Sequence, residues 1–195
     1  MHFPRFIPTI TVKSFHESDL IKKIILGSSI NCVEATLRDG FSVDGINSLA
    51  DTDGLNVGLG TVYHPDQLAE INLEKIKFIV SPGFSLELYE FTQREEILYI
   101  PGIETSSEII RAVNNNLMIL KFFPAEPSGG IEKLKAYQPV FDQVKFICTG
   151  GINLKNYSDY LKQDNVCALA GSFVLPRDFI ENDLINDAII HLNNL

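Results

Sequence analysis

Residues 117–126, with the sequence LMILKFFPAE, place one lysine, Lys121, inside an apolar run that ends at Pro124. A run this hydrophobic predicts a strand that is buried on both faces. Burial of an ammonium group is costly, so it favours the neutral, nucleophilic amine that Schiff-base chemistry requires. The alternative is a lysine at a strand end whose apolar stem packs while its amine reaches water. The stretch therefore offers a candidate amine nucleophile.

A carboxylate and a guanidinium occur together in the earlier stretch INCVEATLR. Because side chains alternate along a strand, Cys32, Glu34 and Thr36 are expected to share one face. The apolar residues of opposite parity would face the helices, so this face would point to the interior. Arg38, just beyond the strand end, follows the same inward parity. Close to Lys121, Glu34 would act as a base and Arg38 as an anion clamp. The alternative is a structural ion pair between Glu34 and Arg38.

An alternation of strands and helices must position these residues. The pattern predicts eight strands, at residues 7–12, 30–37, 55–59, 76–80, 97–100, 117–123, 144–148 and 166–170. Amphipathic segments separate them, which implies parallel strands joined by right-handed crossovers. We therefore predict an α/β fold, a single-domain (β/α)8 TIM barrel over residues 1–195. The rival is an open doubly wound sheet, whose strand-linked Gly-x-Gly-x-x-Gly pattern the sequence lacks.

Turn residues follow the carboxyl ends of most predicted strands, the face on which such barrels carry their active sites. Thr149-Gly150-Gly151 follows the seventh strand, and Gly171-Ser172 follows the eighth. Many barrels bind a phosphate there through backbone N–H groups and a helix amino terminus. An ordinary turn would also use glycine at these positions. The position of both loops, after the last two strands, predicts a phosphate site.

The composition excludes several classes of partner. A net charge of −9 without a basic stripe argues against nucleic acid, and local donors must therefore hold an anionic substrate. The sequence shows neither an apolar run long enough to span a bilayer nor a signal peptide, so we expect no membrane contact. The odd number of cysteines, at no disulfide spacing, indicates free thiols in a reducing cytoplasm. Three cysteines and four histidines occur at spacings that specify neither a disulfide nor a metal site.

Other nucleophiles fit the pattern less well than Lys121. Lys13 also lies at the carboxyl end of a strand, but it opens a polar run and is expected to be solvated. Lys77 and Lys145 fall at the amino ends of their strands, far from the predicted active-site face. Cys148 has no predicted histidine base beside it and is expected to be a buried structural thiol.

Eight segments, spread from the first predicted strand to the last helix, carry a resemblance to a known family: VEATLR, GLGTV, FIVSPG, IPGIETSSE, LKFFPAE, GGIEKLKA, CTGGINLKNYSDYL and LAGSFVLP. Together they resemble the 2-keto-3-deoxy-6-phosphogluconate (KDPG) aldolase family, which includes the bifunctional 4-hydroxy-2-oxoglutarate aldolases. The resemblance implies a trimeric (β/α)8 class I aldolase that uses no metal or cofactor and acts on a small keto-acid phosphate.

The same resemblance implies roles for individual residues. Lys121 matches the Schiff-base lysine, and Glu34 matches the general acid and base. The substrate-binding matches are Arg38 for the carboxylate, Thr61, Pro82, Phe123 and Thr149 around the pyruvate pocket, and Gly150, Gly151, Gly171 and Ser172 for the phosphate. Two features depart from the family. Cys148 occupies the position before Thr149-Gly150-Gly151 at which family members commonly have a proline. Few residues precede the first predicted strand, whereas family members often have a helix there that plugs the barrel.

The implied reaction is reversible cleavage of KDPG to pyruvate and glyceraldehyde 3-phosphate, with 4-hydroxy-2-oxoglutarate as a second substrate that yields pyruvate and glyoxylate. One alternative is 2-keto-3-deoxy-6-phosphogalactonate cleavage, which differs in configuration at C4. Another is a phosphosugar-binding barrel without turnover, which retention of Lys121 and Glu34 argues against. A metal-dependent aldolase or epimerase is disfavoured, because neither predicts a lysine in the sixth strand.

Overall fold

Parallel strands form a nearly closed barrel in the computed structural model, which describes residues 3–195. Within those residues the nine strands are β1 (Phe6–Ile10), β2 (Cys32–Thr36), β3 (Asn56–Gly60), β4 (Ile76–Val80), β5 (Leu98–Ile100), β6 (Gly102–Ile103), β7 (Ile119–Phe122), β8 (Lys145–Cys148) and β9 (Val166–Gly171). They pair in the order β5-β4-β3-β2-β1-β9-β8-β7-β6. The prediction of an α/β fold with a parallel barrel is confirmed.

The observed strand count exceeds the predicted eight because a short strand, β6, begins directly after Pro101, just beyond the fifth predicted strand at residues 97–100. Proline has no N–H to donate to a strand ladder. On one side of Pro101, β5 pairs with β4, and on the other side β6 pairs with β7. The Pro101 carbonyl still accepts a hydrogen bond from the Lys121 N–H at 2.9 Å. The segment around Pro101 therefore connects the two ends of the strand order.

Helices follow the strands and cover the outside of the barrel. They are α1 (Phe15–Leu26), α2 (Val43–Ala50), α3 (Leu86–Arg94), α4 (Ser106–Val113), α5 (Gly130–Tyr137), α6 (Tyr157–Tyr160), α7 (Arg177–Glu181) and α8 (Ile185–Asn193). Side-chain caps define several of their starts; for example, the Ser14 hydroxyl accepts from the Glu17 N–H at 3.1 Å. No helix within residues 3–195 is both long enough and apolar enough to cross a bilayer.

Strand residues of one parity fill the barrel interior, and those of the other parity pack under the helices. The interior set is Phe3, Ile7, Cys32, Phe78, Val80, Ile100, Ile147, Ala168 and Ala170. Gly58 leaves room for the Phe78 ring, since a Cβ at Gly58 would lie 2.1 Å from it. Phe3, which precedes β1, packs edge-on against Phe78 with ring centroids 5.2 Å apart. Phe3 thus packs into the amino-terminal end of the barrel, the end that a helix often plugs in the family that this chain resembles.

Candidate active site

Lys121 and Glu34 meet inside the barrel, although they lie far apart in the sequence. Three strands separate β2 from β7 in the pairing order, so the two residues come from opposite sides of the barrel. The Lys121 Nζ lies 3.4 Å from the Glu34 Oε1, and the two residues are 6% and 2% exposed. The predicted inward parity of Glu34 is confirmed, and Lys121 also points inward. An amine and a carboxylate therefore share one enclosed space at the carboxyl ends of the strands.

Neighbouring strands and an aromatic ring fix the position of Lys121. Its backbone pairs with Gly102 on one side and with Ile147 on the other, which sets the register of β7. The Nζ lies 5.1 Å from the centroid of the Phe123 ring, within the range of a cation–π contact. Phe123 has the same parity as Lys121 and is half-buried at the mouth. The amine therefore lies between the carboxylate of Glu34 and the open end of the barrel.

Glu34 fits into the barrel because the adjacent strand carries a glycine. A Cβ at Gly60 would lie 2.1 Å from the Glu34 Oε1, so that position admits no side chain while Glu34 holds this conformation. Cys32 lies on the same face of β2, two residues earlier. Burial, and secondarily the charge of Glu34, raises the pKa of the Cys32 thiol to about 12. Cys32 therefore remains a neutral thiol beside the carboxylate.

A pocket of about 150 Å³ opens above this pair. Its lining residues are Thr9, Arg38, Phe123, Thr149, Gly150, Gly151, Ile152, Ala170, Gly171 and Ser172. Lys121 and Glu34 do not themselves line it, but Phe123 lies over the Lys121 Nζ and Thr9 pairs with Glu34. Larger hollows, of about 610, 480 and 380 Å³, are open surface grooves lined by neither Phe123 nor Thr9. We place the candidate site in the smaller pocket, because it alone among these adjoins the buried pair.

Arg38 lies exposed at the rim of the pocket. Among the described residues its guanidinium forms no ion pair, and Glu34 contacts Lys121 instead. The alternative reading of Glu34 and Arg38 as a structural ion pair is therefore wrong. The two residues share the same parity, but Glu34 lies within β2 and points into the closed interior, whereas Arg38 lies beyond the strand end. Its cationic head remains available to an anion at the pocket mouth.

The two predicted glycine loops border the pocket from β8 and β9. Gly150 and Gly151 adopt φ angles of 100° and 80°, a conformation that favours glycine. The Gly150 carbonyl accepts from the Glu126 N–H, and a Cβ at Gly151 would lie 2.5 Å from the Glu126 Cβ. The Glu126 side chain accepts a hydrogen bond from the Tyr160 hydroxyl. Glu126 thus supports this loop, a role that sequence reasoning did not assign.

Two threonine hydroxyls in the pocket wall have no partner. The Oγ1 atoms of Thr149 and Thr9 are covered by protein and form no hydrogen bond within residues 3–195. Thr149 belongs to the residues expected from the sequence, and it is 7% exposed. Thr9 was missed, although its place on an apolar strand at the same parity as Ile7 could have indicated it. Buried polar groups without partners are uncommon, and in the wall of a pocket a bound ligand could complete their bonding.

Two expected residues lie beside the pocket rather than in its lining. Thr61 follows β3 and adopts a φ of 63°, which is uncommon for a β-branched residue. Pro82 follows β4 and is exposed. Its carbonyl oxygen packs so closely against Gly102 that a Cβ added to this glycine would lie only 2.1 Å away. The Thr61 conformation and the close Pro82–Gly102 packing both occur at strand ends on the active-site face. Their roles in binding remain predictions.

The competing nucleophiles do not reach this site. Lys13, Lys77 and Lys145 are exposed, the last two at the amino ends of their strands, as predicted. Cys148 is fully buried with outward parity, in the layer under the helices. Burial holds the pKa of its thiol well above the ordinary value. Cys148 therefore does not line the pocket, even though Thr149 follows it directly.

Within residues 3–195 no group of three or more histidine, cysteine or acidic side chains is arranged to hold a metal ion. His64 contacts Asp66 and Glu87 at the surface, at 3.3 Å each. His2, one of the four scattered histidines, lies outside the described residues. The expectation of metal-free chemistry stays a prediction, which chelation would test.

Known proteins are similar to this chain in sequence and fold over most of their length. The family model "KDPG and KHG aldolase" matches residues 1–191. A protein of Escherichia coli (strain K12) named KHG/KDPG aldolase is 38% identical over 176 residues, covering 90% of this chain and 83% of the relative. A 2-dehydro-3-deoxy-phosphogluconate aldolase of Dickeya dadantii is 36% identical over 177 residues, with 90% and 83% covered.

A solved structure extends the likeness to three dimensions. The KDPG aldolase of Legionella pneumophila, whose crystal structure holds pyruvate as a covalent carbinolamine intermediate, superposes with a TM-score of 0.91. It is 34% identical, and the match covers 97% of this chain and 93% of the other. Sequence and fold therefore agree. The chain belongs to the KDPG and KHG aldolase family.

Proposed function

We propose that this protein is a class I aldolase that cleaves KDPG to pyruvate and glyceraldehyde 3-phosphate through a Schiff base on Lys121. The observation that carries the proposal is the contact of 3.4 Å between the Lys121 Nζ and the Glu34 Oε1 inside a nearly closed barrel. A buried amine beside a carboxylate provides a nucleophile and a proton acceptor in one place. A phosphosugar-binding barrel without turnover would have no need of this costly buried pair.

The reaction begins at the keto group. The neutral Lys121 amine adds to C2, and the resulting carbinolamine loses water to give an iminium. Glu34, through a bridging water, accepts the proton of the C4 hydroxyl. The electrons of the C3–C4 bond then move toward the iminium nitrogen, which leaves an enamine and releases the aldehyde. Glu34 returns a proton to C3, and hydrolysis of the iminium releases pyruvate and restores the amine.

The remaining pocket residues would hold the two anionic ends of the substrate. Arg38 is free to pair with the carboxylate through charge-assisted hydrogen bonds. The loops at Gly150-Gly151 and Gly171-Ser172 offer backbone N–H groups and a hydroxyl to the phosphate. Because these groups act far from C3 and C4, their binding energy would orient the bond that breaks.

The relatives support this chemistry and extend it to a second substrate. The Legionella protein holds pyruvate as a covalent carbinolamine, which is the last covalent intermediate of the proposed cleavage and the first of the reverse condensation. The Escherichia coli relative is named for both KHG and KDPG, so we include cleavage of 4-hydroxy-2-oxoglutarate to pyruvate and glyoxylate in the proposal. The epimer 2-keto-3-deoxy-6-phosphogalactonate remains the alternative substrate, and measurement of kcat/KM for both epimers would show which of the two the protein prefers.

We also propose the finer architecture and setting. The two short strands β5 and β6, separated by Pro101, act as one strand, which makes the fold a single (β/α)8 barrel over residues 1–195. The homotrimer and the cytoplasmic location are proposed from the family resemblance. Sedimentation of the purified protein would test the trimer.

Reductive trapping tests the proposed nucleophile directly. The protein is treated with sodium borohydride in the presence of pyruvate, and the modified lysine is located by peptide mass spectrometry. We expect modification at Lys121 and its loss in Lys121→Ala, while a matched Lys145→Ala variant, at the far end of the adjacent strand, is trapped normally. Modification of another lysine, or cleavage of KDPG by Lys121→Ala, would refute the proposal. Turnover that is abolished by a chelator would favour a metal-dependent aldolase instead.

A further inference from the structure

Thr9 lies between the two functional parts of the pocket. On one side its Cα partner in the parallel pairing is Glu34 of β2. On the other side the preceding residue, Pro8, pairs with Gly171 of β9, which begins the Gly171-Ser172 loop. Thr9 has the parity of Ile7, an interior residue, and it lines the pocket. Any extended ligand that reaches from Glu34 to the phosphate loops therefore passes Thr9.

The hydroxyl of Thr9 has no hydrogen-bond partner among the described residues, although its Oγ1 is covered by protein. The next hydroxyl of the same parity, at Thr11, is satisfied by Thr36 at 2.7 Å. Valine has the same shape as threonine and would fill the space without a polar atom to satisfy. Rotation about the Cα–Cβ bond exchanges the hydroxyl and the methyl group between staggered positions, so the hydroxyl can turn to a ligand.

We infer that Thr9 is a specificity residue that hydrogen-bonds the hydroxyl next to the phosphate-bearing carbon of the substrate. This inference rests on the proposed function, because that function orders the ligand along the pocket. With C2 at Lys121 and the C4 hydroxyl at Glu34, the group between Glu34 and the phosphate loop is the C5 hydroxyl. After cleavage this group is the C2 hydroxyl of glyceraldehyde 3-phosphate. Thr9 thus recognises phosphorylated aldehydes that carry a hydroxyl beside the carbonyl.

The test compares two aldehydes that differ only in this hydroxyl. Condensation with pyruvate is measured as kcat/KM for glyceraldehyde 3-phosphate and for 3-oxopropyl phosphate, which lacks it. Removal of one neutral hydrogen bond changes kcat/KM by about 3- to 10-fold. We expect the preference for the hydroxylated aldehyde to fall by that factor in Thr9→Val and to be retained in Thr9→Ser. A structural role would instead lower kcat/KM equally for both aldehydes.

Ser18→Ala is the matched control. The Ser18 Oγ is also buried without a partner, but it lies in α1, away from the pocket. Ser18→Ala should leave the aldehyde preference unchanged, and Thr9→Val should unfold at the same temperature as the unsubstituted protein or higher. An unchanged preference in Thr9→Val, or an equal loss with both aldehydes, would overturn the inference.

Exchange of the pyruvate methyl protons with solvent separates this inference from the proposed function. The exchange needs the amine and the base but no aldehyde. Its absence in the unsubstituted protein would overturn the proposed function and this inference together. Normal exchange combined with an unchanged preference in Thr9→Val would overturn this inference alone.

Discussion

Gly60→Ala perturbs the proposed base without altering any reacting group. Gly60 adopts no positive φ, so its backbone accepts alanine. The added Cβ would lie 2.1 Å from the Glu34 Oε1 and 2.7 Å from its Cδ, whereas ordinary contact begins at 3.4 Å. The carboxylate must therefore retreat by about 1 Å, and misplacement on this scale costs on the order of 100-fold in rate. The Lys121 amine is not touched directly.

Two assays separate the amine from the base. Exchange of pyruvate methyl protons in D2O, followed by NMR, requires proton transfer to and from C3, and we expect it to slow by about 100-fold in Gly60→Ala, within the range of general acid–base catalysis. Borohydride trapping of pyruvate requires the amine, and we expect it to persist at Lys121. KDPG cleavage should fall together with the exchange, since both use Glu34.

Gly83→Ala is the matched control for this variant. Gly83 also follows a barrel strand, but a Cβ there meets no heavy atom within 4 Å and its φ is not positive. We expect Gly83→Ala to exchange and cleave as the unsubstituted protein does. Thermal unfolding shows whether Gly60→Ala is folded, because overpacking costs about 1–3 kcal/mol. A folded Gly60→Ala variant with unchanged exchange would refute the assignment of Glu34 as the base.

Three further predictions concern the pocket rim and the thiols. Arg38→Gln should raise the KM for pyruvate by about 10-fold or more, because it removes charge-assisted hydrogen bonds to the carboxylate; an unchanged KM in the exchange assay would contradict this role. Ser172→Ala should raise the KM for KDPG but not for 4-hydroxy-2-oxoglutarate, which has no phosphate; equal losses on both would argue against a phosphate contact. Burial raises the pKa of Cys148 well above its ordinary value and that of Cys167 from 9.0 to about 11. The folded thiols should therefore resist a disulfide reagent at pH 8. Because thiols ionise at a lower pH in the unfolded chain than in the fold, their protonated forms stabilise the fold below pH 9, and this contribution is lost as the pH rises toward 11. Denaturant midpoints measured at pH 8 and pH 10 would show the loss of stability.

Several features of this protein could be predicted from the sequence, because they depend on the chemistry of residues that lie close together in the chain. An apolar run interrupted by Lys121 indicates a buried strand lysine, because the desolvation of an ammonium needs a functional or structural reason. Side-chain alternation placed Glu34 on the interior face of β2, and the structure confirms it. The glycine pairs marked the loops that border the pocket. Each of these inferences depends on residues close together in the chain.

Long-range packing decided what the sequence pattern left open. Whether Glu34 meets Lys121 or Arg38 depends on the closure of the barrel, which brings opposite strands within 3.4 Å. The sequence pattern ended the fifth strand before Pro101 and missed β6, which the folded chain forms by pairing with β7 while β5 pairs with β4. Thr9 became a candidate only when its hydroxyl was seen to lack a partner. Periodicity tells which way a side chain points, whereas the partner it meets is set by the strand order and curvature that only the folded chain possesses.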